Sequence, residues 1–134
     1  MIRHTPDSIH PPLARYAHAV EMAAPARLLF VSGQLALSRS GDVPNGVEAQ
    51  ATLIFANLDA ILASARMSKA DITRISAFLV DRGDLKAYMA ARDRWLDAIE
   101  PTASTLLLVQ GFSRVEFRVE IELIAARAAD DAAA

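Results

Sequence analysis

The 134-residue sequence predicts an α+β fold: one mixed sheet with two helices on one face. Three observations carry this. The run VEFRVEIELIA, Val115 to Ala125, sends Val115, Phe117, Val119, Ile121 and Leu123 one way and Glu116, Arg118, Glu120 and Glu122 the other, as alternation along a strand requires. Two stretches place apolar residues every three or four positions, the spacing of a helix face. Two further runs are apolar on both sides, so both of their faces must be covered.

In chain order, Met1 to Pro12 carries Pro6, Pro11 and Pro12 without an apolar period and reads as an extended arm. Arg15 to Met22, with Tyr16, His18 and Val20 alternating, reads as a first strand that Pro25 ends. Leu28 to Leu35, LLFVSGQL, is a second strand, and Gly33 inside it marks a bulge or a close backbone approach. After a loop holding Gly41, a helix begins beyond Pro44, with Asn45 and Glu48 at capping-box spacing. Its stripe is Val47, Ala51, Ile54, Leu58, Ile61 and Ala65, ending near Arg66.

Asp71 to Val80 is rich in β-branched and aromatic residues and reads as a third strand. Asp84 is placed to cap a second helix reaching about Ile99, where Leu85, Tyr88, Arg92, Trp95 and Ile99 share a side and Arg92 is the polar exception. Thr105 to Val109 is a fourth strand, followed through Gly111 by the closing run. The alanine-rich Ala126 to Ala134 reads as a fraying tail, so the domain is 1–126 and the flexible tail 127–134. Two helices cover one sheet face. Because Leu28 to Val31 and Leu106 to Val109 are apolar on both sides, the other face calls for further copies of the chain.

Composition narrows the function. Apolar residues make up 53% of the chain, yet no apolar run approaches the ~18 residues needed to span a bilayer, so no membrane role is expected. Without cysteine there are no disulfides, thiolate metal sites or cysteine nucleophiles. No charged-then-apolar leader opens the chain, and a cytoplasmic location is expected. A formal charge of −2 with scattered arginines does not recommend nucleic acid as a partner. His4, His10 and His18 lack partners at metal-ligand spacing, so no metal is expected. Phosphate-binding glycine loops are absent, and no histidine or aspartate is placed beside Ser32 by spacing, which leaves a hydrolase triad unsupported.

Two features remain as chemistry. The row Glu116, Arg118, Glu120, Glu122 is either a solvated sheet face or, if other copies cover it, a place where Glu120 holds or activates a water and Arg118 pairs with it. Ser32, Gly33 and Gln34 offer a hydroxyl, an open backbone and an amide at a strand end. Trp95 and Tyr88 sit at helical spacing and read as core.

VSGQLAL at Val31 to Leu37, GDVP at Gly41 to Pro44, EAQ with Asn57 and Leu58, PTAS at Pro101 to Ser104 and VEIELIAA at Val119 to Ala126 together resemble the RidA/YjgF family of enamine/imine deaminases. The resemblance runs from about Pro11 to Ala126. It implies a chorismate-mutase-like fold, a homotrimer with a central barrel, and small-molecule clefts between subunits where reactive enamines or imines are hydrolysed to a 2-oxo acid and ammonia without cofactor or metal. It implies that Tyr16 lies in the cleft, that Ser32 and Gly33 form its Ser-Gly element, and that Glu120 positions the water. It also exposes departures. Ala103 stands where the family has a carboxylate-clamping arginine, Met89 where it has an asparagine, Thr105 where it has a cysteine and Leu107 where it has a polar residue. A charge-assisted bidentate pair contributes about 1.5–3 kcal/mol, so its loss should weaken binding of a small 2-imino acid ten- to a hundredfold. Arg118 either replaces that cation or bridges a neighbouring glutamate. The alternatives are a catalytic protein without the clamp, a non-catalytic ligand-binding trimer, and an endoribonuclease or translation inhibitor.

Overall fold

A computed structural model describes residues 1–129. The main sheet has four strands, β3 (Ala26–Leu35), β4 (Ile72–Leu79), β5 (Ala103–Leu108) and β6 (Val119–Ala128), in the order β3-β6-β4-β5. β6 runs antiparallel to both neighbours, and β4 and β5 are parallel. That parallel pair needs a crossover, which α2 (Leu85–Trp95) supplies, and α1 (Val47–Ser64) makes the connection from β3 to β4. The fold is therefore the α+β arrangement read from the sequence, with a mixed sheet and two helices.

The arm is more structured than its prolines suggested. Ile2–His4 forms β1 and pairs antiparallel with β2 (Ala19–Glu21), the remnant of the strand expected over Arg15 to Met22. This ribbon is tied to the body by Arg3 donating to the Pro101 carbonyl and Arg15 to that of Ile99. Ala17 makes one parallel bridge to Ala103, its N–H donating to the Thr102 carbonyl at 2.8 Å. At the other end β6 continues to Ala128, beyond the boundary expected at Ala126, and the rest of the tail lies outside the described residues.

The core lies between the helices and one sheet face. Ile54, Leu58 and Leu62 of α1 meet Ile75, Ala77 and Leu79 of β4 and Val119, Ile121 and Leu123 of β6, all buried. Between the helices Phe55 stacks on Trp95 with centroids 4.4 Å apart, and Trp95 Nε1 donates to Asp59 Oδ1. Tyr88 is buried beside them, and burial pushes its phenol well above the usual range, so it stays neutral.

The first expected helix cap is displaced by one residue, and the second stands in place without its side-chain bond. The N-cap of α1 is Gly46 at φ 90°, a conformation glycine adopts without a Cβ clash, and Glu48 pairs with Arg94 at 2.7 Å instead of closing a box with Asn45. Asp84 begins α2 without a side-chain cap bond because it holds Arg118. The helix stops at Trp95, short of Ile99.

The closing run is also shorter than its alternation. Gln50, buried in α1, donates to the carbonyls of Pro44 and Glu116 and accepts from the Arg118 N–H, three bonds of 2.8–3.0 Å. This clamp holds the backbone in a turn where Phe117 N–H donates to the Arg114 carbonyl, so β6 begins only at Val119. Phe117 is buried as expected, but Val115, expected beside it, is 98% exposed. Replacing Gln50 by alanine strands a buried N–H and removes a donor from two carbonyls. We expect Gln50→Ala to lower stability by about 2–4 kcal/mol in urea unfolding with an unchanged m-value.

Candidate active site

The sheet face away from the helices collects the chemistry. Strand alternation places Arg74, Ser76 and Phe78 of β4, Ala103, Thr105 and Leu107 of β5, and Glu120, Glu122 and Ile124 of β6 on that side. Register sorts them into rows. Glu120 lies between Leu35 and Phe78, with Leu107 beyond; Glu122 lies beside Ser76, with Thr105 beyond; Ile124 lies between Phe30 and Arg74, with Ala103 beyond. Leu28, Phe30 and Leu107 on this face are 57%, 70% and 51% exposed. The two-sided apolar strands thus leave one face bare in a single copy.

The glutamate singled out from the sequence sits against the predicted Ser-Gly element. β3 breaks register between Val31 and Gln34, so Ser32 and Gly33 form the expected bulge. A Cβ at Gly33 would stand 2.8 Å from Glu120 Cδ and 3.0 Å from Oε1. The missing side chain is therefore the room that Glu120 occupies, and both readings of this glycine, bulge and close approach, hold. Ser32 is exposed beside it and borders a small hollow of about 240 Å³ with Phe30, Glu122 and Ile124.

Other expected site residues fall elsewhere. Gln34 pairs with Ile121, on the helix-facing side, and its amide donates back to the Ser32 carbonyl at 2.9 Å, stapling the bulge. Met89 packs against the core between helices and sheet. Tyr16 accepts from the Leu13 N–H and meets His18 edge-on, lining a hollow of about 410 Å³ beside the β5 edge with His10 and Pro11. Ala103 and Thr105 stand on β5, but Ala103 and Glu120 occupy rows four residues apart along the strands, about 13 Å at ~3.3 Å per residue. Within one chain they do not form a single site.

Arg118 requires a correction. It neither pairs with Glu120 nor bridges another glutamate: its Nε donates to Asp84 Oδ2 at 2.8 Å, its Nη2 lies 2.7 Å from the same oxygen, and Asp81 is at 3.7 Å. The turn held by Gln50 directs it toward the start of α2. A groove of about 500 Å³ beside Gln110, Phe112 and Val115 has both of its arginines satisfied, Arg118 in this way and Arg114 by Glu116 and the Phe117 ring. Leu35, Phe78 and Arg74 were not singled out from the sequence, because only strand register brings them to the Glu120 face. Among the described residues no cluster of three or more histidine, aspartate or glutamate side chains suits a metal.

The face can therefore offer a carboxylate at a glycine-cleared step, an adjacent hydroxyl and an apolar floor. Comparison with known proteins identifies the family of the chain. The family model described as endoribonuclease L-PSP matches residues 7–127. TdcF of Escherichia coli, named as a reactive intermediate deaminase, is 30% identical over 117 residues, covering 85% of this chain and 88% of its own. A crystal structure of the Rid-family protein YyfB from Yersinia pestis superposes with a TM-score of 0.85 at 27% identity, covering 94% of this chain and 98% of that one. A crystal structure of E. coli TdcF with bound serine superposes with a TM-score of 0.72 at 26% identity, covering 95% and 98%.

Gly33→Ala should fold with a stability loss below about 1 kcal/mol, because the clashing group is a flexible side chain and the glycine backbone is unstrained. Its crystal structure should show the Glu120 carboxylate displaced; an unmoved carboxylate would contradict the close fit.

Proposed function

Because the chain belongs to the RidA/YjgF family, whose model bears the endoribonuclease L-PSP description, we propose that it binds a small molecule against the open sheet face and hydrolyses an enamine or imine there. The observation that carries this reading is the Glu120 carboxylate lodged over Gly33 beside the exposed Ser32. Hydrolysis of an imine needs a water delivered to its carbon and a proton supplied to the departing nitrogen. A carboxylate on a fixed strand can hold that water and pass on its proton. Glu120 takes this role, and Ser32 orients the polar end of the ligand.

Completion of the site calls for a second copy. The apolar side chains of Leu28, Phe30 and Leu107 are the surface a neighbouring subunit would bury, and the separation of Glu120 from Ala103 supports a cleft assembled from two chains of a homotrimer. Tyr16 lines the far wall in this reading. The second reading is a non-catalytic ligand-binding trimer, favoured by Ala103 and by the engagement of Arg118 with Asp84, which leave the β5 site without the family's clamping cation. An RNA-cleaving role has less support: the chain carries a net charge of −2 and the open face presents Glu120 and Glu122.

Ammonia release from a panel of imines should fall about 10²- to 10⁴-fold in kcat/KM for Glu120→Ala. Equal background rates in both proteins would favour the non-catalytic reading, which predicts a thermal shift with ligand but no turnover. Light scattering after gel filtration should give three copies for the native chain and a smaller species for Phe30→Glu, which places a charge in the apolar patch.

A further inference from the structure

The strands of the sheet contain three arginines, Arg27, Arg74 and Arg127, and their surroundings differ. Arg27 and Arg127 turn to the helix side, where they donate to the carbonyls of Ala65 and Arg66 at the end of α1. Arg74 alone stands on the open face. Its register partner on β5 is Ala103, a small and uncharged side chain. Its Nη2 donates to Thr105 Oγ1 at 2.8 Å, which draws the guanidinium across β4 and over the face of β5. Glu122 sits in the next row on the β6 side, yet Arg74 forms no ion pair among the described residues. By contrast Arg92, Arg94, Arg114, Arg118 and Arg127 all have a carboxylate partner.

An arginine fixed by one hydrogen bond to a neutral hydroxyl retains a full charge and its remaining N–H donors, in the planar fork that suits a carboxylate. We propose that Arg74 is the anion-recognition residue of this chain: its guanidinium, positioned by Thr105, takes the carboxylate of a small organic acid. The ligand sits on the β5 side of the guanidinium, away from Glu122, whose charge would repel it. Thr105 is then a positioning residue. The sheet supplies from β4 the cation that β5 lacks at Ala103. This inference rests on the open face being the ligand face, as proposed above, and adds the class of ligand that it selects.

The test is calorimetric titration of the full-length protein at low salt with 2-oxobutanoate and with its neutral amide, 2-oxobutanamide. The native chain should prefer the acid by about ten- to a hundredfold, the span of one charge-assisted pair. Arg74→Ala should abolish that preference while leaving amide affinity unchanged, and Arg74→Lys should restore part of it, since lysine returns the charge without the fork. Arg74 is exposed, so an unchanged thermal midpoint is expected for both variants. A preference that survives Arg74→Ala overturns the assignment, as does a native chain that favours the amide equally or binds neither probe. None of these outcomes decides the hydrolytic reading, which stands or falls separately on ammonia release from neutral imines and Glu120→Ala.

Discussion

A four-stranded sheet has two faces, and this chain has helices for one. That constraint organises the rest of the molecule. Ile75, Ala77, Leu79, Val119, Ile121 and Leu123 fill the space under α1 and α2, and every second residue between them is sent to the other side. The open face receives what the core excludes: Glu120, Glu122, Arg74, Ser76 and Thr105. It also receives the apolar side chains of Phe30, Leu28 and Leu107, which in a single copy remain in contact with water. One face thus carries charged and exposed apolar side chains side by side.

Polar contacts, more than apolar ones, decide where the elements end. Gln50 reaches from α1 to the backbone on both sides of Phe117 and sets the point at which the chain enters β6. One residue on, Arg118 grips Asp84 and so links the start of β6 to the start of α2. Together they anchor the strand that carries Glu120 at its N-terminal end, two residues after Arg118. The precision of the Gly33 and Glu120 contact depends on that anchoring, because a slip of one residue in β6 would turn Glu120 into the core.

Much of the fold was legible because it rests on local periodicity. Both helices and the main-sheet strands lie where the apolar spacing put them, and the mixed sheet followed from their order. Several failures trace to long-range side-chain pairing. Asn45 with Glu48 and Asp84 looked like caps, but Glu48 meets Arg94 and Asp84 meets Arg118, partners 46 and 34 residues away. Val115 alternated correctly and lies outside the strand because Gln50, 65 residues earlier in the chain, bonds its neighbour's carbonyl. Of the N-terminal ribbon, β2 lies within the strand expected over Arg15 to Met22, whereas β1 is three residues long, too short to show a period.

The sequence by itself determined the fold class, the bulge at Gly33 and the family resemblance, all of which depend on residue type and near-neighbour spacing. Only the tertiary structure decided which charges meet. It committed Arg118 to Asp84, turned Gln34 away from the Glu120 face, packed Met89 half-buried against the core and set Arg74 beside Ala103 and Thr105. The physical reason is that side-chain pairing across a sheet follows register, and register is fixed by burial of the whole strand together with a few long-range hydrogen bonds such as those of Gln50. Spacing along a single chain carries no record of it.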